Sequence, residues 1–249
     1  MNKSDCGMGM ARRGENRNKV KWKRAVRRNR VSVKGEDGRM GRLQLHEVVS
    51  AIQHEKPEVY GFAELTRYAV LLPLVENEGE VEVLFEVRSL SLRRQPGEIS
   101  FPGGKMENGD GSPRATAVRE TAEELGLLRE EIDVIHDLGV IVPPYQMAIH
   151  TFVGILKRAE IISFNPEEVQ EVFTVPLETL LAQEPEVYEL DLRLIPDENF
   201  PYQHITGGKE YRFRRKKIPE YFFFYKNYVI WGLTARILQQ FLQLVKKNI

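Results

Sequence analysis

The sequence predicts one α+β domain, with strands and helices mixed along the chain. Three observations predict it. Short apolar runs of strand character alternate with segments of helical spacing, glycine, proline and acidic turn signals fall between them, and neither an internal repeat nor a second apolar core breaks the series. A chain of 249 residues is long enough to bury one good-sized core with additions.

The elements follow in order. Leu45, Val48, Val49 and Ile52 recur at helical spacing, which predicts a short amphipathic helix over Leu43–Gln53. Tyr68–Val75 and Val81–Val87 read as two strands, with Glu76-Asn77-Glu78-Gly79 as the hairpin turn between them. Arg88–Ser100 is a basic loop leading into Phe101-Pro102-Gly103-Gly104. A helix then has clear borders: Ser112 suits the N-cap, Pro113 the first helical position and Gly126 the position after the last turn. Its stripe of Ala115, Val118, Ala122 and Leu125 is expected to pack inward, with Glu120, Glu123 and Glu124 facing elsewhere. Strands are expected at Val134–Val142, Ile149–Leu156, Val169–Val175 and Tyr221–Tyr225, and a long helix over Val229–Val245.

Charge divides the chain. Residues 1–42 hold 14 Lys and Arg against 4 Asp and Glu, while the whole is neutral, so the remainder is acidic by ten. The tract Lys19–Arg30 reads as a solvated, disordered arm, which places a basic extension at 1–42 and the functional domain at 43–249. Nucleic acid is not the expected partner, although this tract keeps that reading open. Cys6 is the only cysteine, which excludes a disulfide framework or a thiolate metal cluster within one chain. No apolar run approaches bilayer length, and none reads as a secretory segment, so no membrane partner is expected and the expected compartment is the cytoplasm.

The chemistry gathers in the glutamate helix. Glu120, Glu123 and Glu124 stand at i, i+3 and i+4, on one face, where like charges repel by roughly 0.2–0.5 kcal/mol per pair. A hard, oxygen-seeking divalent cation reverses the sign of that interaction. Gly103 and Gly104, lacking Cβ, let backbone approach a ligand, and Arg119 can hold a carboxylate through a bidentate pair. Together these point to attack on a phosphate ester or anhydride assisted by Mg²⁺ or Mn²⁺. A Glu-rich solvated face is the ordinary alternative, and the flanking glycines and Arg119-Glu120 pair decide against it. Arg88 and Arg93 are loop arginines, for which the ordinary reading is a solvated charge and the alternative is contact with an anionic substrate passing this loop. Trp231 reads as core, His150 as a satisfied or edge residue, and Tyr145 as a ring that could stack on adenine.

From Gly104 the chain shows G-x5-D-x8-R-E-T-A-E-E-L-G-L, which resembles the Nudix box G-x5-E-x7-R-E-U-x-E-E-x-G-U. The two departures, Asp110 for glutamate and one extra residue before Arg119, resemble the branch of Nudix enzymes that acts on coenzyme A. A loop motif of that branch, R-S-x3-R-x3-G-x3-F-P-G-G, is met by Arg88, Ser89, Arg93, Gly97 and Phe101 to Gly104, while its preceding L-L-T is matched only in part by Leu84-Phe85-Glu86. Residues 165–181 and 230–238 also look like that branch. The resemblance implies a Nudix fold, a mixed sheet sandwiched between helices. It implies Glu120 and Glu124 as principal metal ligands, Glu123 as a further ligand or a group positioning water, and a Gly103 carbonyl completing the shell. Glu120 is alternatively the general base. Asp110 supports Arg119, Gly104 and the loop arginines meet substrate, and one of Glu167, Glu168 and Glu171 (Glu168 by preference) adds a carboxylate. The implied activity is hydrolysis of coenzyme A or acyl-CoA to adenosine 3′,5′-bisphosphate and 4′-phosphopantetheine or its acyl form. ADP-ribose or a dinucleotide as substrate, or a non-catalytic nucleotide- or nucleic-acid-binding module, are the alternatives. Exposed strand edges add the expectation of a homodimer.

Overall fold

The computed structural model describes residues 44–54, 59, 61–144 and 146–249, together with the backbone of 33–34 and 40–41. The basic tract and Tyr145 lie outside the described residues, as does most of 1–42. The chain divides into two compact units, Met1–Val59 and Tyr60–Ile249. In the first, β1 (Val33–Lys34) pairs antiparallel with β2 (Met40–Gly41). Helix α1 (Leu45–Ile52) follows, opened by Glu47, whose carboxylate accepts the Gln44 N–H at 2.6 Å.

The second unit is organised by β3 (Thr66–Asn77). It forms a hairpin with β4 (Glu80–Arg88) through a two-residue turn in which Glu78 and Gly79 both have positive φ, 52° and 87°. That mirror-type turn matches the right-handed twist of its strands. The pairing stops at Leu74↔Val83, and the strands splay. Pro73 stands beside this point. Leu71 sends its N–H to the Pro102 carbonyl, so Pro73, two residues on, turns its donor-less nitrogen to the same edge, where no ladder partner is needed. Into the splay fit β5 (Ile99–Ser100), paired with β4, and β6 (Gly103–Lys105), paired with β3. The other edge of β3 runs parallel to β8 (Met147–Leu156), which pairs antiparallel with β7 (Ile132–Ile141), while β9 (Val169–Pro176) lines the outer edge of β4. The result is a seven-stranded mixed sheet.

Alternation along the strands sorts their side chains to two faces. Ala69, Leu71, Val75 and Leu84 join Ala117 and Leu125 of α2 (Pro113–Leu125). Leu72, Val83 and Phe85 face the other way and pack with Ile237, Leu238, Phe241 and Leu242 of α4 (Gly232–Asn248). The sheet is therefore sandwiched between helices. Beyond β9 come the short α3 (Leu177–Ala182) and a separate three-stranded sheet of β10 (Glu186–Arg193), β11 (Arg215–Tyr225) and β12 (Tyr228–Trp231).

Three expectations need correction. Val229–Trp231 is not the start of the last helix but strand β12, because a tight turn at Lys226 (φ 52°) returns it along β11. The strand β10 was not expected at all, since its side chains are almost all exposed and give no core signal. The inward stripe of α2 is also rotated from the one expected: Ala115 is exposed, whereas Thr116, Ala117, Thr121, Glu124 and Leu125 are buried. Buried polar groups on that stripe are hydrogen-bonded, which is what lets them displace aliphatic residues. Thr116 Oγ1 donates to Asp110 at 2.8 Å, Thr121 Oγ1 to the Ala117 carbonyl at 2.7 Å, and Glu124 accepts from Gly103.

Candidate active site

The glycine pair of β6 sits where two close approaches meet. A Cβ on Gly103 would lie 2.4 Å from the Ala69 carbonyl oxygen and 2.7 Å from Val70 Cα, and one on Gly104 would lie 2.3 Å from Glu120 Cδ. Only glycine lets β6 lie against β3 on one side and the helix carboxylates on the other. The Gly103 N–H donates to Glu124 Oε2 at 2.8 Å.

Helix α2 is fixed at both ends. Ser112 accepts the Ala115 N–H, and Gly126 (φ 66°) ends the helix. Its last carbonyls, of Glu124 and Leu125, accept the N–H groups of Asn165 and Ser163 at 2.9 and 3.1 Å. That capping draws the 163–168 loop to the helix end, and the Glu168 carbonyl then accepts the Ser89 N–H at 2.8 Å. Glu168 is thereby brought to the carboxylates of α2 and β4. Of Glu167, Glu168 and Glu171, it is the one whose charge raises Glu86, Glu120 and Glu124 together.

Arg119 binds Asp110 through two contacts of 2.7 and 3.0 Å, and also reaches Glu120 Oε1 at 2.9 Å and Glu123 Oε2 at 3.0 Å. The hydrogen bonds from Arg119, then the Glu107 N–H, hold the Asp110 carboxyl well below the usual carboxylate range. This clasp orients Glu120. Burial pushes the Glu120 carboxyl up, against the pull of Arg119. Glu124, 5% exposed, is pushed well up, first by burial and then by the charge of Glu86. Glu86 on β4 is 1% exposed and shares the sheet face of Leu84, the face that α2 covers. Burial raises it to about 7, although the Ser100 hydroxyl, which donates to its Oε1 at 2.8 Å, and Arg88 oppose the shift. As placed, no three His, Cys, Asp or Glu side chains among the described residues converge on one cation position. The donor set is nevertheless all hard oxygen, crowded and partly neutralised, which is the chemistry a divalent cation of that kind requires. A cleft of 440 Å³ opens beside Gly103 and Gly104, walled by Phe101 and Trp231, with Arg88 and Arg94 at its side.

Residues 65–197 match the NUDIX domain. The chain belongs to the Nudix family. It is 33% identical to the peroxisomal coenzyme A diphosphatase NUDT7 of Mus musculus, over 72% of this chain and 70% of that one. It is 35% identical to the mitochondrial coenzyme A diphosphatase NUDT8 of Homo sapiens, over 71% and 68%. Nudix hydrolase 22, chloroplastic, of Arabidopsis thaliana is 36% identical over 68% of this chain, which spans only 52% of that relative's length. The protein is thus a Nudix hydrolase, similar to the coenzyme A diphosphatases that its loop motif and long box spacer resemble.

Within the candidate site, Arg119, Glu120, Glu123 and Glu124 lie on α2, with Asp110 behind Arg119 and Gly103 and Gly104 in front. Arg88 lines the cleft, and its Nε is buried with no hydrogen-bond partner among the described residues. Arg93 is exposed and does not line the cleft, which its neighbour Arg94 does. Trp231 is not core: at 44% exposed, it borders the cleft from β12. His150 is neither satisfied nor at an edge, since it lies on a strand paired on both sides and its buried Nε2 has no partner among the described residues. Sequence reasoning missed Glu86. The available signal was its departure from the threonine of the L-L-T segment, at an inward position of an apolar strand.

Proposed function

We propose that this Nudix hydrolase cleaves the pyrophosphate bond of coenzyme A or acyl-CoA, yielding adenosine 3′,5′-bisphosphate and 4′-phosphopantetheine or its acyl form. The observation that carries the reading is a cleft flanked by arginines that opens beside Gly103 and Gly104, where Glu120 and Glu124 approach the glycine backbone. Burial, and then neighbouring acids, raise Glu86, Glu120 and Glu124 there. Glu120 and Glu124 are the principal ligands of Mg²⁺ or Mn²⁺, with Glu123, Glu168 and the Gly103 carbonyl as further oxygens. A divalent cation held there neutralises the diphosphate and lowers the pKa of an attacking water. The chain's own residues do the rest. Arg119, anchored on Asp110, fixes one oxygen of Glu120 and leaves the other for the cation. Arg88 and Arg94 meet phosphate oxygens at the cleft, and the exposed face of Trp231 gives a stacking wall for a base.

Support for coenzyme A over other nucleotides comes from the names of the relatives and the loop motif. A panel of CoA, acetyl-CoA, ADP-ribose and a dinucleotide, with Mg²⁺ or Mn²⁺ and products identified by mass, tests it. Faster turnover of ADP-ribose than of CoA would sink the substrate assignment, and unchanged turnover of Glu124→Gln at saturating Mg²⁺ would sink the metal assignment. No helix among the described residues is long and apolar enough to cross a membrane. The cytoplasm remains our proposed compartment, to be read by localising the tagged full chain, although two of these relatives are named peroxisomal and mitochondrial. A homodimer is proposed on the open edge of β10, whose Val187, Tyr188 and Leu190 are exposed, and light scattering decides it.

A further inference from the structure

We propose that Glu86 is an additional ligand of the divalent cation, supplied from the sheet face opposite α2. The inference rests on the metal-dependent reading above and adds to it a residue outside the Nudix box. Glu86 is fully enclosed, and its two oxygens are treated differently. Oε1 accepts the Ser100 hydroxyl, while Oε2 is buried and has no hydrogen-bond partner among the described residues. A buried carboxylate oxygen without a donor is costly, and native structures rarely leave one so. Arg88, two residues along the strand, does not donate to it, and its own buried Nε is likewise without a partner among the described residues.

Glu86 shares its sheet face with the buried acid of α2. Among neighbouring charges, that of Glu86 acts most strongly on Glu124, and Glu168 acts on both. Two enclosed carboxylates whose charges act on one another repel when no cation is present. With a divalent cation between them they become two of the six or more oxygens that such an ion takes. Glu124 spends one oxygen on the Gly103 N–H, as Glu86 spends one on Ser100, so each has a second oxygen that these bonds leave available. A threonine at this position, as in the L-L-T pattern, would bring a hydroxyl and no charge. The extra acid is a property of this chain's own strand and not of the helix box.

The test is Mn²⁺ binding by calorimetry, paired with thermal melts with and without Mn²⁺, on the full chain and its Glu86→Gln, Glu86→Thr and Glu124→Gln variants. Both Glu86 variants are expected to bind Mn²⁺ at least tenfold more weakly, to melt no lower than the unsubstituted chain when metal-free, and to gain less from added Mn²⁺. A purely structural Glu86 would give the opposite pattern, a lower metal-free melting temperature with unchanged Mn²⁺ affinity, and would overturn the proposal. If Glu124→Gln weakens Mn²⁺ binding and neither Glu86 variant does, the proposal fails while the metal-dependent reading stands. If the unsubstituted chain binds no Mn²⁺, both fail.

Discussion

Gly104→Ala separates the position of Glu120 from the stability of the fold. The new methyl would sit 2.3 Å from Glu120 Cδ and as close to Oε1. Carbon atoms rest about 3.5–4.0 Å apart, so the carboxylate must retreat by more than about 1 Å. Retreat opens the 2.9 Å contact with Arg119, which the Asp110 clasp otherwise keeps in place. A displacement of about 1 Å at a working group costs about 10²-fold in rate. That corresponds to about 2.7 kcal/mol of lost transition-state stabilisation. The fold itself loses little, because the obstructing atoms are the end of a flexible side chain. Melting is expected to move by less than about 2 °C, the scale of a change within about 0.5 kcal/mol in a domain of this size. The assay is kcat/KM on CoA with Mg²⁺ alongside a melting curve. Adding Glu120→Asp, which withdraws the carboxylate by one methylene, should cost less in the Gly104→Ala background than alone, a coupling that a double-mutant cycle reads. Activity of Gly104→Ala within threefold of the unsubstituted enzyme would refute the reasoning, since Glu120 would then not work from this place.

Gly103→Ala should behave differently, because its methyl meets backbone, the Ala69 oxygen at 2.4 Å and Val70 Cα at 2.7 Å. Overpacking of that kind costs about 1–3 kcal/mol, so melting is expected to fall by about 2–12 °C, with activity lost as well. For Glu86 the carboxyl is raised from 4.5 to about 7, so the folded state holds the proton more tightly than the unfolded chain. Its stabilising contribution is complete below about pH 4.5 and is lost as pH rises through 7, by at most about 3 kcal/mol. Urea unfolding with chelator between pH 5 and 8 should show that decline, and Glu86→Gln should flatten it. Removing residues 1–42 should leave kcat/KM on CoA within twofold, and a loss of tenfold or more would assign that basic extension a part in catalysis.

The fold was legible where local chemistry is strong. Ser112, Pro113 and Gly126 mark both ends of α2, and Glu78-Gly79 marks the β3–β4 turn, because each satisfies a backbone requirement that few residues meet. It was illegible where tertiary context decides. The strand β10 exists because β11 pairs with it along its length, from Glu186↔Phe222 to Arg193↔Arg215, and not because its side chains are buried. Val229–Trp231 continues the apolar periodicity of α4, and only the return turn at Lys226 shows it to be a strand.

At the site, the helix carboxylates were legible because they repel at short sequence separation, which is visible in one window. Glu86 lies 38 positions before Glu124 in the sequence, and nothing local joins them. The link is made by β4 splaying from β3, which lets β5 and β6 enter and sets α2 over the face that Glu86 shares with Leu84. Residue 86 alternates with Val83 and Phe85, a pattern that reads as a solvated position, and only a sheet covered on both faces turns it inward and raises the question of what compensates a carboxylate there. Ser100 answers for one oxygen only. An acid at an inward strand position, half-satisfied and beside a second buried acid, lowers the stability of the metal-free fold at neutral pH. A residue that weakens its own fold in this way is explained by what it binds, and the same reasoning that read a cation from three glutamates on one helix extends to a fourth carried by the sheet.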